Sequence, residues 1–221
     1  MNNTDPERSL ENIVVEISRD GKTCSGTGFF ISPDEIATCY HVLVPPEGGK
    51  LKKIYRIKHD NWVGWQKATL VRAQPLPDDV AVLKTSKKLE SFDIKLQAWN
   101  KRSCEFVSRG YSEETSEAGF GANEIDGRII TDTKLEKRTR LQLQTSPDAI
   151  KGGRSGSPVF SLDQNAIVGM IDYQGGELNR DAQIGAAIPI EAIVSLGEVP
   201  PEGGRIMNIP ELPANFLQDG V

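Results

Sequence analysis

Histidine is scarce in this chain: its 221 residues hold only two, His41 and His59. Any reaction that needs an imidazole must use one of them, and a histidine-rich metal centre is ruled out. Cysteine is too sparse for a disulfide scaffold. Cys24, Cys39 and Cys104 are odd in number and lack Cys-x-x-Cys spacing, which argues against a disulfide framework and against a structural zinc site alike. No apolar run approaches the roughly 20 residues of a bilayer span. The stretch Met1-Asn2-Asn3-Thr4-Asp5-Pro6 lacks the charged-then-apolar pattern of a secretory leader. We therefore expect a soluble chain in a reducing cytoplasm, with no membrane partner. Basic excess is missing too: 26 Lys and Arg face 31 Asp and Glu, a net charge of −5, so nothing marks a nucleic-acid partner. Lys50-Leu51-Lys52-Lys53 and Lys84-Thr85-Ser86-Lys87-Lys88 are the densest positive spots, and solvated turns account for them.

Three short motifs stand in a telling order. Ala37-Thr38-Cys39-Tyr40-His41 comes first, Asp79-Val80-Ala81-Val82-Leu83 second, and Gly153-Arg154-Ser155-Gly156-Ser157-Pro158 third. A serine hydroxyl attacks a carbonyl at neutral pH only if a positioned base takes its proton. An imidazole base in turn needs a buried carboxylate to fix its tautomer and stabilise the imidazolium. The order His, Asp, Ser is that of the chymotrypsin-type arrangement; subtilisin-like folds run Asp, His, Ser and α/β-hydrolases run Ser, Asp, His. Taken alone, a Gly-x-Ser-Gly string is a common turn and a histidine after a strand is commonly structural. Their conjunction makes His41, Asp79 and Ser155 the candidate catalytic set, while His59 in Lys58-His59-Asp60 reads as a solvated strand or loop residue.

On these residues the chain resembles the trypsin-like serine peptidases, and among them the bacterial HtrA-like branch. Gly26-Thr27-Gly28-Phe29-Phe30-Ile31, the His41 and Asp79 motifs, Leu143-Gln144-Thr145 before the Ser155 loop, Ile167-Val168-Gly169-Met170-Ile171 and Gly185-Ala186-Ala187-Ile188-Pro189-Ile190 carry the resemblance, which spans residues 10–197. It implies a serine endopeptidase acting through an acyl-enzyme, with no cofactor and no metal. It places the active site between two barrels and assigns the oxyanion hole to the amides of Gly153 and Ser155. A turn that tight favours residues without a β-carbon. For substrate binding it points to Ala149, Ile150, Asp172, Tyr173, Gln174, Gly185 and Ala187, with the strand at 171–174 pairing with an extended peptide. Gly185 and Ala187 imply an uncharged, small to medium primary pocket; the alternative is that Asp148 or Asp172 reaches its base and selects Lys or Arg.

Two departures from the family pattern carry consequences. Secreted relatives have an aspartate before the nucleophile that pairs with a newly cut N-terminus, whereas Arg154 stands here, so that activation route is closed. They also carry Ser or Thr, hydrogen-bonded to the triad aspartate, where this chain has Asp172. Either Asp172 turns elsewhere or the site contains an unusual acidic pair. Val42 follows His41 in place of the cysteine common in extracellular relatives.

Alternation and turn signals predict an all-β protein of two antiparallel barrels with a short C-terminal helix. The peptidase domain is expected over 1–198, its first barrel over 10–95 and its second over 103–190. Residues 112–123, acidic and glycine-containing, read as a mobile surface loop. From 199 to 221 proline and glycine recur, and the segment reads as a linker or tail. Pro210-Glu211-Leu212-Pro213-Ala214-Asn215-Phe216 resembles the connector ahead of the nucleotide-binding module in STAND-type sensor ATPases. That resemblance implies a regulated effector in a larger bacterial, antiphage-defence protein, with a C-terminal nucleotide-binding sensor domain as partner and a protein or peptide as substrate. The alternatives are an inactive protease-like binding module and a stand-alone quality-control protease.

Overall fold

A computed structural model describes residues 6–45, 49–112, 121–135, 138–146, 150–172 and 184–196. Twelve strands close into two antiparallel barrels of six, the first ordered β1-β2-β3-β6-β5-β4 and the second β10-β11-β12-β9-β8-β7. The first uses β1 (Val14–Ser18), β2 (Gly26–Phe30), β3 (Glu35–Cys39), β4 (Ile54–Lys58), β5 (Gln66–Gln74) and β6 (Val80–Thr85). The second uses β7 (Cys104–Gly110), β8 (Asn123–Leu135), β9 (Arg138–Thr145), β10 (Pro158–Ser161), β11 (Ala166–Asp172) and β12 (Ile184–Pro189). Short helices α1 (Pro6–Glu11), α2 (Tyr40–Leu43) and α3 (Ile190–Val194) complete the described fold. The all-β two-barrel reading and the closing helix hold; α1 has no counterpart in the sequence reading. The segment 199–221 lies outside the described residues, as does 113–120 of the acidic loop.

Closure removes the sheet edges that an open strand would expose, and the register breaks help the strands bend around the barrels. Bulges fall between Leu70 and Arg72, Ile129 and Thr131, and Val159 and Phe160. Strands facing solvent on one side alternate, as β7 does with Cys104, Phe106 and Ser108 buried between more exposed neighbours. By contrast β1, β2, β3, β10 and β11 are buried throughout, because the barrels press against each other along them. One apolar cluster runs from the first barrel through Phe29, Ile36 and Val82 to Ile167, Met170 and Ile188 of the second. The interface between barrels is thus continuous with a core, and residues set on its two sides keep a fixed spacing.

His59 departs from expectation. It is buried at 2 % exposure, its ring centroid 5.3 Å from that of Trp62. Nδ1 accepts the Asn61 amide at 3.1 Å, which leaves the proton on Nε2 to donate to the Asn12 carbonyl at 3.0 Å. A polar string around this histidine suggested water; the apolar neighbour three residues on, Trp62, and the end of α1 cover it instead. Burial pushes its pKa below the usual 6.5, with the Asn12 hydrogen bond opposing. The unfolded chain therefore binds this proton more readily than the folded one, so the contribution of His59 is full above 6.5 and declines as pH falls through that value. Thermal melts should show Tm falling between pH 7 and 5.5, with the fall shallower in His59→Gln; parallel curves would count against it.

Candidate active site

The three residues singled out in the sequence meet in the groove between the barrels. Asp79 ends the turn before β6, is fully buried, and takes a left-handed backbone with φ 58°, a region in which Asp is among the tolerated residues. Its amide donates to the Pro75 carbonyl at 3.2 Å, and its carbonyl accepts the Tyr40 amide at 3.1 Å. Those bonds aim the carboxylate at α2. Oδ1 accepts the His41 main-chain N–H at 2.9 Å while Oδ2 lies 2.6 Å from His41 Nδ1. With Nδ1–H donated to Asp79, the lone pair of Nε2 faces Ser155 Oγ at 2.8 Å. A hydroxyl, a base and an orienting carboxylate are in line, which is what deprotonating the hydroxyl during attack on a carbonyl requires.

The nucleophile loop is tied down by backbone and by Thr27. Lys151 O accepts Arg154 N at 3.1 Å and Gly153 has φ 90°, a type II turn whose third residue needs a glycine. Gly156 also has φ 92°, and a Cβ there would stand 1.9 Å from the Thr27 carbonyl, so only glycine lets the second barrel's loop lie this close to β2. Thr27 N donates to Ser155 O at 2.9 Å, Thr27 Oγ1 donates to Gly153 O at 2.9 Å, and Gly156 N donates to Ile171 O at 2.9 Å. Among the described residues neither the Gly153 nor the Ser155 amide donates to a protein acceptor.

Arg154 points inward. At 2 % exposure its Nη1 donates to Asn123 O at 2.9 Å and its Nη2 to Asn123 Oδ1 at 2.5 Å, while Nε meets no acceptor among the described residues. Burial, then the nearby Arg109, pulls its pKa down to about 10. The guanidinium fills a buried space behind the turn and anchors it to the start of β8 without an ion pair to a free amine.

Asp172 is 6 % exposed and accepts Arg140 Nε at 3.2 Å. The carboxylate is matched by a buried cation on β9, which answers the question its sequence position posed. Neither Arg140 nor Asn123 was singled out from sequence. An aspartate ending the apolar run Ala166–Asp172 demands a cationic partner, and that demand, set against Arg138 and Arg140 on a nearby strand, was the available signal. Of the expected pocket, Ile150 is half-buried, and its Cδ1 lies 2.2 Å from where a Cβ on Gly185 would stand, so the missing side chain at 185 makes room for it. Ala187 is fully buried in the second barrel's core, among Leu141, Leu143 and Ile171. Ala149, Tyr173 and Gln174, with Asp148, lie outside the described residues. Val42 packs at the place a Gly26 side chain would take, 2.6 Å from its Cβ position. Cys24, Cys39 and Cys104 are not joined in disulfides among the described residues.

Comparison with known structures places the fold. The active form of the Rv3671c protease from M. tuberculosis superposes with a TM-score of 0.67 at 19 % identity, covering 95 % of this chain and 87 % of that one. A serine endoprotease from Yersinia pestis gives 0.60 at 20 % identity, over 86 % of this chain and 64 % of that chain. In sequence, the peroxisomal leader peptide-processing protease of Mus musculus is 25 % identical over 173 residues, which are 76 % of this chain but only 28 % of that protein. A model of the trypsin-like peptidase domain matches residues 26–170, the segment that holds His41, Asp79 and Ser155. On that match the chain belongs to the trypsin-like peptidase domain family.

Proposed function

We propose that the chain is a serine endopeptidase in which Ser155 is the nucleophile, His41 the general base and Asp79 the residue that orients it. The observation that carries this is the unbroken relay from Asp79 Oδ2 to His41 Nδ1 at 2.6 Å and from His41 Nε2 to Ser155 Oγ at 2.8 Å. Attack by Ser155 on a peptide carbonyl passes its proton to His41, and the oxyanion forms against the amides of Gly153 and Ser155. His41 then protonates the leaving amine, and water resolves the acyl-enzyme by the same route. The half-buried Ile150 beside Gly185, and the engagement of Asp172 with Arg140, support an uncharged pocket for a small to medium aliphatic residue before the scissile bond.

We further infer a cytoplasmic proteolytic effector, acting on protein substrates as part of a larger bacterial defence protein. Three cysteines not joined in disulfides among the described residues suit a reducing compartment. The Pro/Gly-rich 199–221 suits a connector to a regulatory module, and Arg154 in place of an aspartate suits control by domain contacts. A fluorophosphonate should label Ser155, mapped by peptide mass, in this chain and in the longest native protein with and without nucleotide. No adduct on Ser155 in any form would overturn the peptidase reading and favour the binding module; equal labelling in all forms would overturn the sensor-controlled one.

A further inference from the structure

Between the barrels, against the main chain just before Asp79, lies a charged group that peptide hydrolysis does not use. Arg140 is 4 % exposed and reaches from β9 across the barrel interface. Its Nη2 donates to the carbonyls of Pro77 at 2.7 Å and Asp78 at 3.3 Å, the two residues before Asp79. Nη1 donates to the Thr139 carbonyl at 3.3 Å and Nε to Asp172 Oδ2 at 3.2 Å. One guanidinium therefore grips the turn that holds Asp79 in its left-handed conformation and also matches the charge of the nearby Asp172.

Among the described residues, the other charged groups lining the cavity at Arg140 are Asp78, Arg138, Lys101, Asp132 and Glu191, with Lys101 Nζ 3.9 Å from Asp132 Oδ2. Asp78 is held by Arg138, with Arg138 Nε 2.5 Å from Oδ1, and by Gln74. Cys39, just before α2, donates Sγ–H to the Ile171 carbonyl at 3.3 Å. Burial, with Asp79 and Asp172 adding and Arg140 opposing, keeps the Cys39 thiol far up and protonated. Among the described residues, the buried charges nearest this spot are Asp79 and Asp172 with Arg140 opposing them.

We propose that Arg140 and Asp172 form a positioning pair for the triad. Asp172 keeps Arg140 buried and oriented, Arg140 holds the 77–79 turn in place, and each cancels the charge the other would impose on His41. The inference rests on the reading of His41, Asp79 and Ser155 as that triad. A pair that served packing alone would affect rate and stability without moving the proton affinity of the base.

The test is the rate of Ser155 modification by a fluorophosphonate as a function of pH, in the full chain. Arg140→Met removes a buried cation, which favours the imidazolium, so the acid limb of the profile should move to higher pH, by about half a unit to one unit. Asp172→Asn removes a buried carboxylate and should move the limb the opposite way by a similar amount. The double variant should bring the limb back while the rate stays at least about tenfold down, because the Pro77 and Asp78 carbonyls have lost their donor. Acid limbs unchanged from wild type in both single variants would overturn the proposal. If Arg140→Met does not fold, the Asp172→Asn arm decides it by the sign of its shift. Labelling that persists in Ser155→Ala would instead overturn the triad reading on which this rests.

Discussion

Replacing Ser155 with alanine lowers peptide hydrolysis by about a millionfold, to the level that binding and the oxyanion amides sustain alone. The loss is expected to be chemical and not structural. The loop is held through Thr27 N to Ser155 O, Gly156 N to Ile171 O and Ser157 N to Arg154 O, none of which uses the hydroxyl. Among the described residues, the hydrogen bond removed is that between Oγ and His41 Nε2. Ser155 is buried at 4 % exposure, but losing its oxygen opens space smaller than a water and leaves the loop's backbone bonds in place, so melting should stay within a few degrees of wild type. Turnover of a peptide by the purified variant, with Tm measured on the same sample, checks both halves. Near-normal hydrolysis by a folded Ser155→Ala protein would remove Ser155 from the mechanism.

How far the site could be read from the sequence depended on whether a feature is local. Each triad residue sits in its own short motif at a strand end, and strand alternation placed the barrels, so His41, Asp79 and Ser155 could be named before any coordinates. Glycines were legible for the same reason. Gly153 and Gly156 stand next to the nucleophile and have positive φ, a backbone demand that a turn signature reveals. The supporting partners were not legible, because each is supplied from a distant strand. Arg140 lies 61 residues beyond Asp79 and Asn123 lies 31 before Arg154, separations that no period or motif links. Arg140 belongs to a face of β9 whose other members, Gln142 and Gln144, look solvent-bound. Its burial follows from the second barrel's docking on the first, which is a tertiary fact. His59 was misread for a related reason: Lys58 and Asp60 are exposed, but α1 lies over the ring between them. Leu10 is fully buried in the core, and Glu11 stands 3.7 Å from Arg109, so a cut near Asn12 would remove packing as well as charge.

Asp79→Asn should cost about ten thousandfold in turnover while leaving the fold in place. The direction follows from which way the new amide must face. The His41 main-chain N–H donates to Oδ1 at 2.9 Å and requires an acceptor there, so the amide oxygen takes that position and the NH2 group takes the place of Oδ2, 2.6 Å from His41 Nδ1. A donor at that point forces Nδ1 to present its lone pair and puts the proton on Nε2. Nε2 then cannot accept from the Ser155 hydroxyl, and the base is lost although every heavy atom is near its original place. Asp172 hydrogen-bonds to Arg140, whereas Asp79 holds the His41 ring, so Asp172→Asn should cost far less. Asp172→Ser brings no gain either, since that change takes a carboxylate from the buried Arg140 guanidinium. Turnover of the two asparagine variants at one pH well above the acid limb separates the roles. A larger loss in Asp172→Asn than in Asp79→Asn, with both proteins folded, would make Asp172 the orienting carboxylate.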